Sequence, residues 1–317
     1  MARPDPADVR RVACVGAGTI GGGWAAQFLS QGYDVAAWDP APDGAERLRA
    51  QIDAAWPALE DLGLAAGASR DRLSVTATLA EAVERAAFIQ ESAPELMDVK
   101  IEALAEIDAA AAPDAVISSS TSAFSMTDMQ VRCARPERTV VGHPFNPVYL
   151  IPLVEVVPGA KTDPAAAAWA AAFYERAGKS AIIVKDQVYA FLANRLQAAL
   201  WREALYMVRA GEATADDLDR CISEGPGLRW AIMGPFLTFH LAGGPGGLGA
   251  FFDKFEGEEE APYSRLLGPE LTPELRAAVL EGTDQLVGER SFEDLVAERD
   301  RCLVAIHKAL AANRDAG

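Results

Sequence analysis

The stretch that most constrains this chain is RVACVGAGTIGGGWAAQFLS, residues 11–30, where a short apolar run enters Gly16-Ala17-Gly18-Thr19-Ile20-Gly21 and continues as helix-forming sequence. Few folds accommodate a glycine turn of this spacing between a strand and a helix. Gly16 permits the tight turn, Gly18 lets a pyrophosphate approach the backbone, and Gly21 lets the helix pack closely on the strand. Free amides and aligned peptide dipoles at the helix start favour an anion there. The next apolar run, 34–38, ends in Asp39, at the offset of about 20 residues where a carboxylate meets ribose hydroxyls and repels a 2′-phosphate. These residues together, Gly16 through Gly21 with Asp39, predict a dinucleotide site that takes NAD rather than NADP.

Alternation of strand and helix continues from there. The pattern predicts a helix over 46–62 despite Pro57, a strand over 73–76, a helix over 79–86 and a strand over 88–90. A helix over 98–111 and a buried strand over 115–117 follow, and the latter runs into Ser118-Ser119-Ser120-Thr121-Ser122. Such alternation implies an α/β fold, a doubly wound and mainly parallel sheet of the Rossmann type, with ligands beyond the carboxyl ends of the strands. After an alanine-rich helix over 164–177 and a last strand over 181–184, the pattern becomes helix after helix, beginning with a long one over 189–210. The expected division is therefore 1–186 for the dinucleotide-binding domain and 187–317 for an all-α domain that binds substrate and mediates dimerisation.

Within the first domain, VGHPFNPVYLIPLVEVV, residues 141–157, sets His143 and Glu155 between apolar runs and stiffens the connection with Pro144, Pro147 and Pro152. A carboxylate inside an apolar run is costly unless something hydrogen-bonds to it. A glutamate that accepts from one imidazole nitrogen fixes the tautomer and leaves the other nitrogen as a base. His240 and His307 have no metal-type partner nearby and read as structural or surface groups.

Composition narrows the class. Half of the residues are hydrophobic, enough for sizeable cores, and the formal net charge of −17 opposes nucleic acid and anionic membrane as partners. The first residues hold no apolar signal region and no later run has membrane-spanning length, so a cytoplasmic location is expected. Cys14, Cys133, Cys221 and Cys302 lie far apart, with no CxxC pair, and predict neither a zinc site nor a disulfide framework. The acidic run 256–260 reads as a solvated loop.

The motifs VGAGTIGGG, ESAPELMDVK, SSSTSAF, GHPFNPVYLIPLVEVV and FLANRL, in that order, resemble the 3-hydroxyacyl-CoA dehydrogenase superfamily over nearly the whole chain. FIQESAPE, GLRWAIMGPFLTFHLAGG and LWREAL are more similar to its carnitine-dehydrogenating branch than to its acyl-CoA enzymes. The resemblance implies an NAD-dependent oxidation of a 3-hydroxyl. It implies His143 as catalytic base, Glu155 as the carboxylate that orients it, Ser122 and Asn194 as groups that hydrogen-bond the reacting oxygen and the cofactor side of the site, and Glu95, Lys100 and Asn146 around NAD. The chain departs from the family where Tyr189-Ala190 replaces the usual Pro-Gly, and Asn194 stands where many sequences of the carnitine type have aspartate.

The substrate is the open question at this level. An acyl-CoA must have its phosphates met, and residues 39–75 offer only Arg47, Arg49, Arg70 and Arg72, balanced by acids. A small zwitterion needs an aromatic surround for its quaternary ammonium and a cation for its carboxylate. Arg229 and Trp230 are the candidates for those two ends, with Trp201, Phe252 and Tyr263 as further aromatics. The leading expectation is oxidation of L-carnitine to its 3-dehydro product by a homodimer without a metal. The alternatives are a 3-hydroxybutyryl-CoA dehydrogenase, an L-gulonate 3-dehydrogenase of the lambda-crystallin type, and an NAD(H)-binding structural protein.

Overall fold

A computed structural model describes residues 3–255 and 272–292, and scattered positions from there to residue 312. The chain divides into two compact units, Met1–Leu196 and Gln197–Gly317.

The first unit is built on one eight-stranded sheet. Its strands are β1 Arg11–Val15, β2 Asp34–Trp38, β3 Leu73–Val75, β4 Phe88–Glu91, β5 Val116–Ser119, β6 Thr139–Pro144, β7 Leu153–Pro158 and β8 Ser180–Ile183. They lie in the order β3-β2-β1-β4-β5-β6-β7-β8. All neighbours are parallel except β6 and β7, which run antiparallel. The strand order reverses between β1 and β4, the place where such sheets open a crevice for ligands.

Helices cover both faces. They are α1 Thr19–Ser30, α2 Gly44–Leu62, α3 Leu79–Val83, α4 Met97–Ala110, α5 Met126–Met129 and α6 Pro164–Arg176. Alternate strand residues feed two separate cores, as the period of two requires. Val12 and Cys14 of β1 join Trp24, Phe28, Phe88, Phe173 and Tyr174 in one, while Ala13 and Val15 join Leu104, Ile107, Met126 and Met129 in the other. The first core is an aromatic stack, with Phe88 and Phe173 ring centroids 4.2 Å apart and Trp24 and Phe28 5.3 Å apart. The lower edge of β6 is fixed by Arg138, whose buried guanidinium donates to Asp108 at 2.8 and 3.0 Å.

The helix expected over 189–210 begins four residues later, as α7 Ala193–Ala210. Ala190 and Phe191 adopt φ of 58° and 55°, left-handed values that no right-handed helix contains. The turn seats Phe191 in the core, 2 % exposed. Residues 187–196 are part of the first compact unit.

The second unit contains α8 Ala215–Ser223, α9 Pro226–Trp230, α10 Pro235–Ala242, α11 Gly247–Phe255 and α12 Pro273–Val287. Thr214 caps α8 in a reciprocal box with Asp217, each side chain 3.2 Å from the other's amide. Among the described residues no helix is long and apolar enough to cross a membrane.

Candidate active site

His143 and Glu155 face each other directly across the antiparallel β6–β7 ladder. Residues opposed in such a ladder project from the same face, so the backbone register alone brings the two side chains together. His143 Nδ1 lies 2.8 Å from Glu155 Oε2, with the glutamate fully buried and the histidine 3 % exposed. Because a carboxylate can only accept, Nδ1 carries the proton and Nε2 is left with its lone pair. The other glutamate oxygen accepts from the backbone amides of Leu192 and Ala193 at 2.8 and 3.0 Å. Burial pushes the Glu155 carboxyl up, but the hydrogen bonds from His143, Ala193 and Leu192 outweigh it and leave the group below the usual glutamate range. Phe145 and Phe191 pack against the imidazole, at centroid distances of 4.7 and 5.3 Å.

Ser122 follows β5 and is exposed. Its backbone is held from both sides: the amide donates to Glu95 Oε1 at 2.9 Å, and the carbonyl accepts from Asn194 Nδ2 at 3.2 Å. Thus the structure brings Ser122, Asn194 and Glu95 into one hydrogen-bonded group. Glu95 also accepts from Thr121 Oγ1 at 2.5 Å.

Lys100, expected beside the cofactor, is buried at the start of α4. It is 1 % exposed, and its ammonium reaches Glu91 Oε1 and the Ala93 carbonyl, both at 3.1 Å, and Glu95 Oε2 at 3.4 Å. An ammonium has three donors, and all are used inside the protein. Glu91, at the end of β4, is fully buried and demands a cation, which Lys100 supplies.

The glycine turn has the expected form. Gly16 lies at φ +104°, and a Cβ there would stand 2.6 Å from the Ser92 carbonyl oxygen. A Cβ on Gly21 would strike the Gly16 carbonyl, whereas one on Gly18 would meet nothing within 4 Å, so the turn opens toward free space at Gly18. Helix α1 starts there without a side-chain cap, leaving the amides of its first turn, at Thr19, Ile20 and Gly21, for an anion. This cradle fits a dinucleotide's pyrophosphate. Asp39 is tied to the turn: Oδ2 accepts from the Ala17 amide at 2.6 Å and Oδ1 from the Ala41 amide at 2.9 Å, with Arg47 at 3.3 Å. Its carboxylate therefore braces the glycine turn.

Asn146 is exposed on the loop between β6 and β7. Lys179 anchors that loop by donating to the Val148 and Ile151 carbonyls, over the ring of Trp24 at 5.4 Å. Burial lowers the Lys179 ammonium to about 8.

Arg229 and Trp230 both lie exposed on α9 in the second unit. Being adjacent on a helix, they point about 100° apart. Trp201 is exposed on α7, and the Phe252 ring carries the Arg276 guanidinium at 5.7 Å. Tyr263, His307 and the acidic run 256–260 lie outside the described residues. Among those described, no group of three or more histidine, cysteine, aspartate or glutamate side chains could hold a metal ion.

Comparison with known proteins matches this arrangement to one family. Residues 11–187 match the NAD binding domain of 3-hydroxyacyl-CoA dehydrogenase and residues 191–271 its C-terminal domain. The chain is 60 % identical over 304 residues to L-carnitine dehydrogenase of Streptomyces coelicolor, covering 96 % of each chain. It is 61 % identical to that of Streptomyces griseus, covering 96 % of this chain and 91 % of the relative. A solved NAD+-dependent 5-formyl-3-hydroxy-2-methylpyridine 4-carboxylic acid 5-dehydrogenase superposes with a TM-score of 0.75 at 32 % identity, over 96 % of this chain and 99 % of the other. With the glycine turn, the strand order and both domain matches in agreement, the chain belongs to the 3-hydroxyacyl-CoA dehydrogenase family and is an NAD-dependent oxidoreductase.

Proposed function

We propose that this chain oxidises the 3-hydroxyl of L-carnitine to the ketone, with His143 as general base. The observation that carries the substrate is the 60 % identity, across nearly the full length of both chains, to a protein named for that reaction. The observation that supports the chemistry is the buried His143–Glu155 pair.

NAD, when bound, supplies the acceptor for the hydride that leaves C3. The chain's residues do the rest. His143 Nε2 takes the hydroxyl proton, and the charge that develops on the imidazole is met by the Glu155 carboxylate 2.8 Å from Nδ1. Because Glu155 is held by two backbone amides as well, it neither rotates away nor picks up the proton. Ser122 and Asn194 are assigned to the reacting oxygen. The glycine turn, Asp39, Glu95, Lys100 and Asn146 are assigned to the cofactor. Arg229 and Trp230 carry the chemistry a zwitterion asks for, a cation for the carboxylate and a π face for the ammonium.

The reading includes a cytoplasmic homodimer. Its support is α7, where Trp201, Leu205 and Val208 recur at i, i+4 and i+7 and are all exposed, the pattern of a helix that packs on another surface. Trp201 is thereby a candidate for the subunit contact as well as for the substrate.

The test is NADH formation with L-carnitine, D-carnitine, L-gulonate and 3-hydroxybutyryl-CoA side by side, with His143→Ala as control. Turnover of L-carnitine alone, abolished in the variant, is the expected result. Turnover of the CoA ester or of L-gulonate instead would replace the substrate while keeping the base. NADH binding with no turnover of any alcohol would overturn the enzymatic reading.

A further inference from the structure

Lys179, in the turn between α6 and β8, is a buried cation with no part in the chemistry above. It is 7 % exposed, and burial is the one influence on its ammonium, since no carboxylate among the described residues pairs with it. A lysine ordinarily carries its charge to water along a flexible stem, and burying that charge is costly. Here the ammonium instead donates to two carbonyls of the loop between β6 and β7, those of Val148 and Ile151, under the face of Trp24 of α1. Such charge-assisted bonds are about twice as strong as neutral ones.

The loop has little else to hold it. Val148 is seated on α1, where a Cβ on Gly23 would stand 2.9 Å from the Val148 Cβ, but Leu150 and Ile151 are 42 % and 39 % exposed. Its internal order is one turn, in which the amides of Leu150 and Ile151 both donate to the Pro147 carbonyl, at 3.0 and 2.9 Å. Lys179 grips that turn at both ends. The residue that leads into it is Asn146, which is exposed and whose side chain makes no hydrogen bond among the described residues. The place of the Asn146 amide is therefore set by the backbone on either side of it, β6 before and the gripped turn after. We propose that Lys179 is a positioning residue for Asn146: it pins the turn after β6 onto α1, and so presents Asn146 to the dinucleotide held at the start of the same helix. This inference rests on the assignment of Asn146 to the cofactor.

The test is a double-mutant cycle of Lys179→Met and Asn146→Ala, read as the NADH dissociation constant by fluorescence titration. Amide exchange at Leu150 and Ile151 reports on the turn itself. Each single replacement should raise the NADH constant by about ten-fold, the scale of one lost hydrogen bond to a charged group. The double variant should bind no more than about three-fold more weakly than Asn146→Ala alone, because a loosened turn then has no side chain left to misplace. Exchange at the two amides should quicken by about ten-fold in Lys179→Met and stay unchanged in Asn146→Ala. A lysine that merely stabilises the fold would quicken exchange and leave the NADH constant where it was, which overturns the proposal. Effects that multiply in the double variant overturn it as well, since Lys179 would then act by a route other than Asn146. If Asn146→Ala itself binds NADH as the wild type does, the assignment of Asn146 falls and the proposal with it. A loss in Asn146→Ala beside wild-type affinity in Lys179→Met sinks the proposal and keeps the assignment. Should Lys179→Met not fold, Lys179→Gln, which keeps an N–H donor without the charge, takes its place in the cycle. Neither reading needs turnover, so failure of the wild type to oxidise L-carnitine would sink the substrate assignment and leave this test standing.

Discussion

Glu155 is where the electrostatics of the site are concentrated. A carboxylate with no exposed surface survives in a sheet because one oxygen takes an imidazole N–H and the other takes two amides. Its neutral isostere keeps the shape and loses the charge. Glu155→Gln should therefore fold and bind NADH, yet lose about 10²-fold or more in kcat, since the amide cannot offset the imidazolium. Its effect on stability should depend on pH in one direction. The Glu155 carboxyl lies below the usual glutamate range in the folded protein. Its contribution is therefore fully present above the unfolded-state value of about 4.3 and disappears as pH falls through the lower folded value. Urea midpoints of wild type and Glu155→Gln should differ at pH 7 and draw together below about pH 4. A gap of constant size down to pH 3 would mean the hydrogen bonds, and not the charge, hold β6 to β7.

Among the elements, the turn that enters α7 is the strained one. Ala190 takes φ of 58° where the family usually has glycine, and Phe191 follows at 55°. The conformation persists because it seats Phe191 in the core and delivers the amides of Leu192 and Ala193 to Glu155. Ala190→Gly should then stabilise the protein by about 1 kcal/mol in denaturant unfolding, the cost of one left-handed Cβ, with kcat unchanged. This turn also marks the limit of what the sequence makes legible. The glycine turn, Asp39, the order of strands and helices and the His143–Glu155 pairing are all readable, because each depends on spacing within one short segment. The start of α7, the antiparallel sense of β7 and the burial of Lys100 are not. Each is decided by a partner that the local pattern does not name: Glu155 for the turn, β6 for β7, and Glu91 for the lysine. The Glu91–Lys100 spacing of nine residues is visible, but nothing local says that β4 ends in a buried carboxylate.

At the scale of the whole molecule, the described part of the helical unit carries an exposed apolar stripe. The stripe of Trp201, Leu205 and Val208 on α7 would remain wet in a monomer, and an apolar face of that kind marks an interaction surface. If two copies share it, Leu205→Glu should sediment as a monomer at concentrations where the wild type is a dimer. NADH affinity should stay unchanged, because the glycine turn belongs to the other unit. A monomeric wild type would remove the homodimer. The net charge of −17 belongs at this scale too: it keeps association confined to complementary apolar faces, since random contacts between like-charged surfaces are repelled.

The direct opposition of His143 and Glu155 across a ladder has a consequence for how the dyad forms and fails. Its members are twelve residues apart, so the pair closes with a single hairpin and needs none of the long-range crossovers that build the rest of the sheet. Alignment is also quantised. A slip of one residue between β6 and β7 would send the glutamate to the opposite face, with no half-aligned state between. Damage to this hairpin should consequently divide molecules into active and inactive ones, each active molecule retaining its full rate, instead of slowing the whole population.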